Sequence, residues 1–182
     1  MRVVGGIAKG RNLKSVPGDS TRPILDRVKT ALFDILRPEI QGKFVLDLFG
    51  GTGNVGIEAI SQGAAHCTFL DIEKKAIDTI NDNLSTTNLS KFSKVYKQDC
   101  FMFLKTTKQP YDLIYIAPPQ YKNIWVEVLQ MISAHPNLVT DNGKLIVQID
   151  PLEYEHVGVT NFEEYDSRIY GNTQLIFYRK IK

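Results

Sequence analysis

The chain has 182 residues, 43% hydrophobic and 23% charged, which suits a soluble globular protein of one domain with a sizeable core. No apolar run approaches the roughly 18 residues of a membrane span, and Met1–Gly6 reads as neither a signal nor a transit peptide, so a cytoplasmic location without membrane attachment is expected. The net charge of +2 hides an asymmetry: residues 1–43 carry nine Lys/Arg against four Asp/Glu, and residues 44–182 carry thirteen against sixteen. All four charges in residues 1–15 (Arg2, Lys9, Arg11 and Lys14) are positive, which makes the N-terminal segment a candidate for nucleic acid phosphates.

In chain order, residues 2–16 read as a small glycine-rich hairpin. Thr21-Arg22-Pro23 supplies a cap and a proline for a helix start, and Ile24, Leu25, Val28, Leu32, Ile35 and Leu36 form one apolar stripe up to Pro38. From Phe44 onward short apolar runs alternate with helical patterns, the βαβ rhythm of a parallel sheet. Strands are expected at Phe44–Phe49, Cys67–Asp71, Lys94–Gln98, Asp112–Ala117 and Lys144–Ile149, with helices beginning near Asn54, Glu73, Cys100 and Lys122. The end of the chain differs: Ser167–Tyr170, a Gly171-Asn172 turn and Thr173–Tyr178 read as an antiparallel hairpin. A Rossmann-like α/β sheet, mostly parallel and closed by an antiparallel hairpin, is the class I S-adenosylmethionine-dependent methyltransferase form of the doubly wound fold. Two segments follow, a basic hairpin and helix over 1–43 and a methyltransferase domain over 44–182.

The run from Val45 to Gly56, strand then glycine turn then helix start, makes a nucleotide-cofactor site. Gly51-Thr52-Gly53-Asn54-Val55-Gly56 also spells the dinucleotide fingerprint, and Asp71 lies where a ribose-binding acid is expected, so NAD and S-adenosylmethionine are both open at this point. Asp47 favours the latter, because a carboxylate near the end of the first strand can accept from a methionine ammonium group but would repel a diphosphate. Asp99, after the third strand, can receive an adenine amino group while the backbone of Cys100 addresses the ring edge, and the same Asp99 could cap the helix that follows. Phe49 and Ile72, beside Asp47 and Asp71 in the chain, complete the candidate cofactor set with Gly51 and Gly53. The fourth strand stops in Ala117-Pro118-Pro119-Gln120-Tyr121, a rigid platform with carbonyls outside the sheet ladder and a ring for stacking, suited to an amino group on a flipped base. Cys67 and Cys100 form no CxxC pair, and His66, His135 and His156 are scattered, so neither a metal site nor a Ser/His/Asp hydrolase is encouraged.

Lys9-Gly10-Arg11, Thr21-Arg22-Pro23 with Asp26-Arg27-Val28-Lys29, Leu32-Phe33-Asp34-Ile35-Leu36, the Val45–Gly53 loop, Gly56-Ile57-Glu58-Ala59 and Tyr170-Gly171-Asn172-Thr173 together resemble the bacterial RsmD-type methyltransferases over nearly the whole chain. That family methylates the exocyclic N2 amine of a guanine in 16S ribosomal RNA. The resemblance implies S-adenosylmethionine as cofactor, S-adenosylhomocysteine as product, and the small ribosomal subunit or its assembly intermediate as partner, with the protein acting as a monomer. It implies that Asp47, Gly51 and Gly53 hold the methionine portion, Asp71 the ribose and Asp99 the adenine, while Lys9, Arg11, Arg22, Arg27 and Lys29 face RNA. One departure matters: the family tetrad usually begins with Asp, and here Ala117 stands in its place. Either Gln120 supplies an acceptor with Tyr121 as the stacking ring, or the Ala117 or Pro118 carbonyl suffices, or the protein mainly binds rRNA with its cofactor and catalyses weakly. A dehydrogenase using NAD is the distant alternative, resting on the glycine pattern and Asp71 alone.

Overall fold

A computed structural model describes residues 1–18 and 23–181. The chain divides into two compact units, Met1–Asp99 and Cys100–Lys182; the strand order is β3 (Ser93–Lys97), β2 (His66–Asp71), β1 (Phe44–Asp47) in the first and β4 (Tyr111–Ile116), β5 (Val139–Ile149), β7 (Thr173–Lys180), β6 (Phe162–Tyr170) in the second. Among the described residues no helix is long and apolar enough to cross a membrane.

The first unit opens with an abbreviated hairpin. Arg2 and Asn12 form an isolated antiparallel bridge, and the Val3 and Gly10 amides donate to the Arg11 and Val3 carbonyls. Helix α1 (Asp26–Leu36) starts later than the proline suggests. Its N-cap is Leu25, whose carbonyl accepts from the Val28 and Lys29 amides, and Asp26 places a negative charge on the first turn. The expected cap Thr21 lies outside the described residues. The helix buries Val28, Lys29, Leu32, Phe33 and Leu36, and stops ahead of Pro38, which disfavours helical geometry in the residue before it.

Strand β1 (Phe44–Asp47) pairs in parallel with β2 (His66–Asp71), and β2 with β3 (Ser93–Lys97). Between β1 and β2 runs helix α2 (Asn54–Ser61), every residue of which is buried. Such burial works because α2 lies close on β2 at Gly56: a Cβ there would sit 2.3 Å from a Phe69 ring carbon and 2.7 Å from the Cys67 sulfur. Helix α3 (Lys74–Thr87) turns Ala76, Ile80 and Leu84 inward and ends on Asn88 in the left-handed region.

In the second unit, α4 (Cys100–Thr106) precedes β4 (Tyr111–Ile116), which pairs in parallel with β5 (Val139–Ile149). Helix α5 (Ile124–Ala134) begins two residues after the expected Lys122, because Asn123 takes φ 58° and must be passed before helical geometry starts. It buries Trp125, Val128, Leu129 and Ile132, and each such side chain contributes about 1.5–3 kcal/mol of burial free energy. The antiparallel end is as expected but longer: β6 (Phe162–Tyr170) and β7 (Thr173–Lys180) meet at Gly171, φ 61°, and β7 pairs with β5.

Candidate functional site

In the first unit the candidate cofactor residues gather on the loops that follow β1 and β2. Parallel pairing brings Asp47 level with Phe69, two residues before the end of β2. The turn after β1 closes with Gly53 N–H donating to the Gly50 carbonyl at 2.8 Å, and is tied to β2 by Gly50 N–H donating to the Leu70 carbonyl at 2.6 Å. Gly51 (φ 57°) and Gly53 (φ 81°, the N-cap of α2) both lie in the left-handed region, where only glycine sits without strain. Asp71 holds the turn in place: one carboxylate oxygen accepts from Gly51 N–H and the other from Glu73 N–H, each at 2.9 Å. A carboxylate has about four acceptor positions, so two remain for a pair of ribose hydroxyls.

Asp47 is the unusual group. It is 2% exposed; Oδ2 accepts from Gly56 N–H at 3.3 Å, whereas Oδ1 is buried without a partner among the described residues. Burial pushes its carboxyl well above the ordinary carboxylate range, the Gly56 amide works against that rise, and the charge of Asp71 adds to it. An unpaired buried carboxyl oxygen beside glycines that keep Cβ atoms away fits a ligand that brings a cationic donor, as the ammonium group of S-adenosylmethionine does. Phe49 is half-buried, Ile72 is an exposed apolar side chain directly after Asp71, and Asp99 is exposed at the position before α4. Cys100, buried, opens α4 in the second unit.

The Ala117–Tyr121 segment follows β4 in the second unit. Ala117, Pro118 and Gln120 are half-buried, Pro119 is exposed, and the Tyr121 side chain is 62% exposed. Tyr121 takes φ 62°, its hydroxyl donates to Asp150 Oδ2 at 2.7 Å, and its amide donates to Glu153 Oε1 at 2.7 Å.

The residues expected to face RNA divide. Lys9, Arg11 and Arg27 are exposed, with Arg11 reaching the Thr86 carbonyl at 3.3 Å, and Arg22 lies outside the described residues. Lys29 is a correction. Its side chain is fully buried, paired with Glu58 at 2.8 Å and donating at 2.6 Å both to the Arg2 carbonyl and to Asn54 Oδ1, so it cannot present its charge to a phosphate. Glu58 in turn accepts from the Val4 and Gly5 amides. Asn83 accepts from Lys14 N–H and donates to the Lys14 and Thr52 carbonyls. Glu58 and Asn83 thus bind the N-terminal segment to the body of the first unit. Asn83, Asp150 and Glu153 carry no signal in the sequence, and Glu58 enters there only as part of the Gly56–Ala59 motif, although a lone acid inside the apolar helix α2 is a signal for a buried partner.

Known proteins agree with this architecture. The profile of the family described as "Conserved hypothetical protein 95" matches residues 1–179. The Bacillus subtilis protein YlbH is 35% identical over 99% of both chains. Ribosomal RNA small subunit methyltransferase D of Haemophilus influenzae is 31% identical over 82% of this chain and 79% of its own length. This chain belongs to the RsmD-type rRNA methyltransferase family. Among solved structures, yhhF of Escherichia coli superposes with TM-score 0.86 at 25% identity over 99% of this chain and 97% of that one. SMU.776, solved in complex with S-adenosylhomocysteine, shares the fold at TM-score 0.66 and 16% identity over 81% of this chain and 49% of that one. The RsmD-type chain therefore has the fold of S-adenosylmethionine-dependent methyltransferases, and its Gly51–Gly56 pattern belongs to that fold and not to a dinucleotide dehydrogenase.

Proposed function

We propose that this RsmD-type protein methylates the N2 amine of a guanine in 16S ribosomal RNA, within the small subunit or its assembly intermediate, using S-adenosylmethionine. The observation that carries the cofactor half is the buried, unpartnered Oδ1 of Asp47 behind the Gly51–Gly53 turn. Asp47 would take the ammonium group, Asp71 the ribose hydroxyls, Asp99 the adenine amino group with the Cys100 backbone on the ring edge, and Phe49 and Ile72 apolar contacts. Bound there, S-adenosylmethionine supplies a methyl group activated by its sulfonium. The chain's own task is positioning, which can supply much of the barrier reduction when the methyl is already strongly electrophilic. The base leaves its stack, at a cost of a few kcal/mol in a duplex and less in a loop, and lies against Tyr121. Gln120 or the Ala117 or Pro118 carbonyl accepts an N–H of the amine and turns its lone pair outward. Lys9, Arg11, Arg22 and Arg27, on the 1–43 extension, hold the RNA backbone.

Incubation with labelled S-adenosylmethionine and undermethylated small subunits should yield N2-methylguanosine; its absence where a related enzyme works on the same particles sinks the proposal. Ala117 motivates a second reading, an rRNA-binding protein that holds the cofactor and hardly turns over. Ala117→Asp separates the two: a large gain in turnover favours the attenuated protein, and a loss shows geometry adapted to alanine.

A further inference from the structure

Tyr121 carries an odd combination of properties. Its ring is largely exposed, its backbone sits at φ 62°, and Asn123 two residues on sits at φ 58°. A tyrosine in the left-handed region is strained and persists only where its surroundings hold it. Two hydrogen bonds hold it there. The phenol donates to Asp150, which is 8% exposed and follows β5, and the Tyr121 amide donates to Glu153. Those two acids are themselves interlocked across the short turn Pro151–Glu153. Asp150 Oδ1 accepts from Leu152 N–H at 2.9 Å, and Glu153 Oε2 accepts from Asp150 N–H at 3.3 Å, a capping box in which both carboxyls also reach Tyr121. The loop after β4 is thereby tethered at two points to the turn after β5. The effect is a ring that is 62% exposed while its hydroxyl and amide are fixed. An aromatic surface ordered in advance stacks on a base without losing further rotamer freedom, which is how preorganisation raises affinity.

We infer that Asp150 and Glu153 are positioning residues for the acceptor base, acting through Tyr121. They hold the ring following Pro118-Pro119 as a rigid stacking platform in a chain whose tetrad lacks its usual acid. The inference rests on the methyl-transfer reading above and adds to it a role for residues outside the Ala117–Tyr121 segment.

Steady-state methyl transfer into undermethylated small subunits, with cofactor affinity measured separately by calorimetry, tests it. Tyr121→Phe keeps the ring and the amide bond to Glu153 and removes the tether to Asp150; it should raise KM for the particle about tenfold, the loss of one hydrogen bond to an acidic group, while kcat and the cofactor Kd stay near wild type. Asp150→Ala removes the same bond together with the cap on Leu152 N–H, so it should raise KM at least as much, and Tyr121→Phe should add nothing further in that background. Glu153→Ala should raise KM, and Glu153→Gln, which keeps an acceptor for the Tyr121 amide, should restore it. Should Asp150→Ala fail to fold, Tyr121→Phe and the Glu153 pair still decide the matter. A wild-type KM for Tyr121→Phe, or additive effects in the double variant, overturns the positioning role while the methyl-transfer reading stands. A wild-type protein that transfers no methyl group overturns both.

Discussion

Lys29 offers the sharpest test of the structure, because the sequence suggests an RNA contact and the fold shows a buried ion pair. Lys29→Met keeps the aliphatic bulk and removes the ammonium from Glu58, the Arg2 carbonyl and Asn54 Oδ1. Breaking a fully buried pair from one side costs about 3–5 kcal/mol, since the partner charge is left uncompensated. Glu58 here still accepts from Val4 and Gly5 N–H and from the Gln62 side chain, at 2.9, 3.0 and 2.9 Å, so the lower end, about 3 kcal/mol, is expected. For a chain of this size that corresponds to a fall in Tm of about 6–12 °C. Lys29→Met/Glu58→Gln should cost less than the sum of the single changes, with a coupling of about 1–3 kcal/mol, because no lone charge stays behind. Urea unfolding of the four proteins, read by linear extrapolation, measures all of this. Additive single changes, or a Lys29→Met protein within about 1 kcal/mol of wild type, would refute the ion-pair argument. A Lys29→Met protein of full stability and weakened RNA affinity would return the residue to the RNA surface.

Gly56→Ala places a methyl against the Phe69 ring at 2.3 Å and the Cys67 sulfur at 2.7 Å, an overpacking that should destabilise by about 1–3 kcal/mol in the same unfolding assay; a neutral result would mean that α2 is free to lift off β2. The raised Asp47 carboxyl sets a pH dependence. Between the unfolded value of about 3.9 and its raised folded value the native state keeps a proton the unfolded chain has lost, so this group's contribution makes stability fall as pH rises through that window. A cofactor ammonium favours the ionised form, so affinity for S-adenosylmethionine should rise with pH through the same window and binding should release a proton. Calorimetry in buffers of different ionisation enthalpy detects the release, and Asp47→Asn should abolish it; wild-type binding without release contradicts the assignment. Lys9→Ala and Arg11→Ala should each lower the salt slope of RNA binding by about one without loss of thermal stability, since both side chains are exposed; an unchanged slope removes that residue from the RNA surface.

How much was legible depends on whether a residue's role is set by its own neighbours in the chain. The strands and the start of α2 were readable because periodicity, glycine and proline act locally, and the terminal hairpin was readable from its Gly-Asn turn. Val139–Gly143 does not read as strand, because Thr140, Asp141 and Asn142 are polar; β5 starts where Val139 pairs with Tyr111 and then shifts register before Lys144 pairs with Leu113, an irregularity that sequence does not display. Lys29 misleads for a related reason. A lysine between Val28 and Leu32 reads as a charge at the rim of an apolar stripe, and only its neighbour in space, Glu58 on α2, turns it inward. Each member of that pair interrupts an otherwise buried helical face, α1 at 29 and α2 at 58, with opposite sign. Two such interruptions carry a signal that neither has alone: a buried charge is tolerable only with a partner, so a single acid in one buried helix asks for a single base in another. The tether of Tyr121 lay deeper still. It joins residues about thirty positions apart, and nothing in Gln120-Tyr121-Lys122 announces that an exposed ring will be fixed by Asp150 and Glu153. The proposed acceptor platform therefore has to be understood from two loops together, and Ala117, judged by its tetrad alone, would be a poor guide to it.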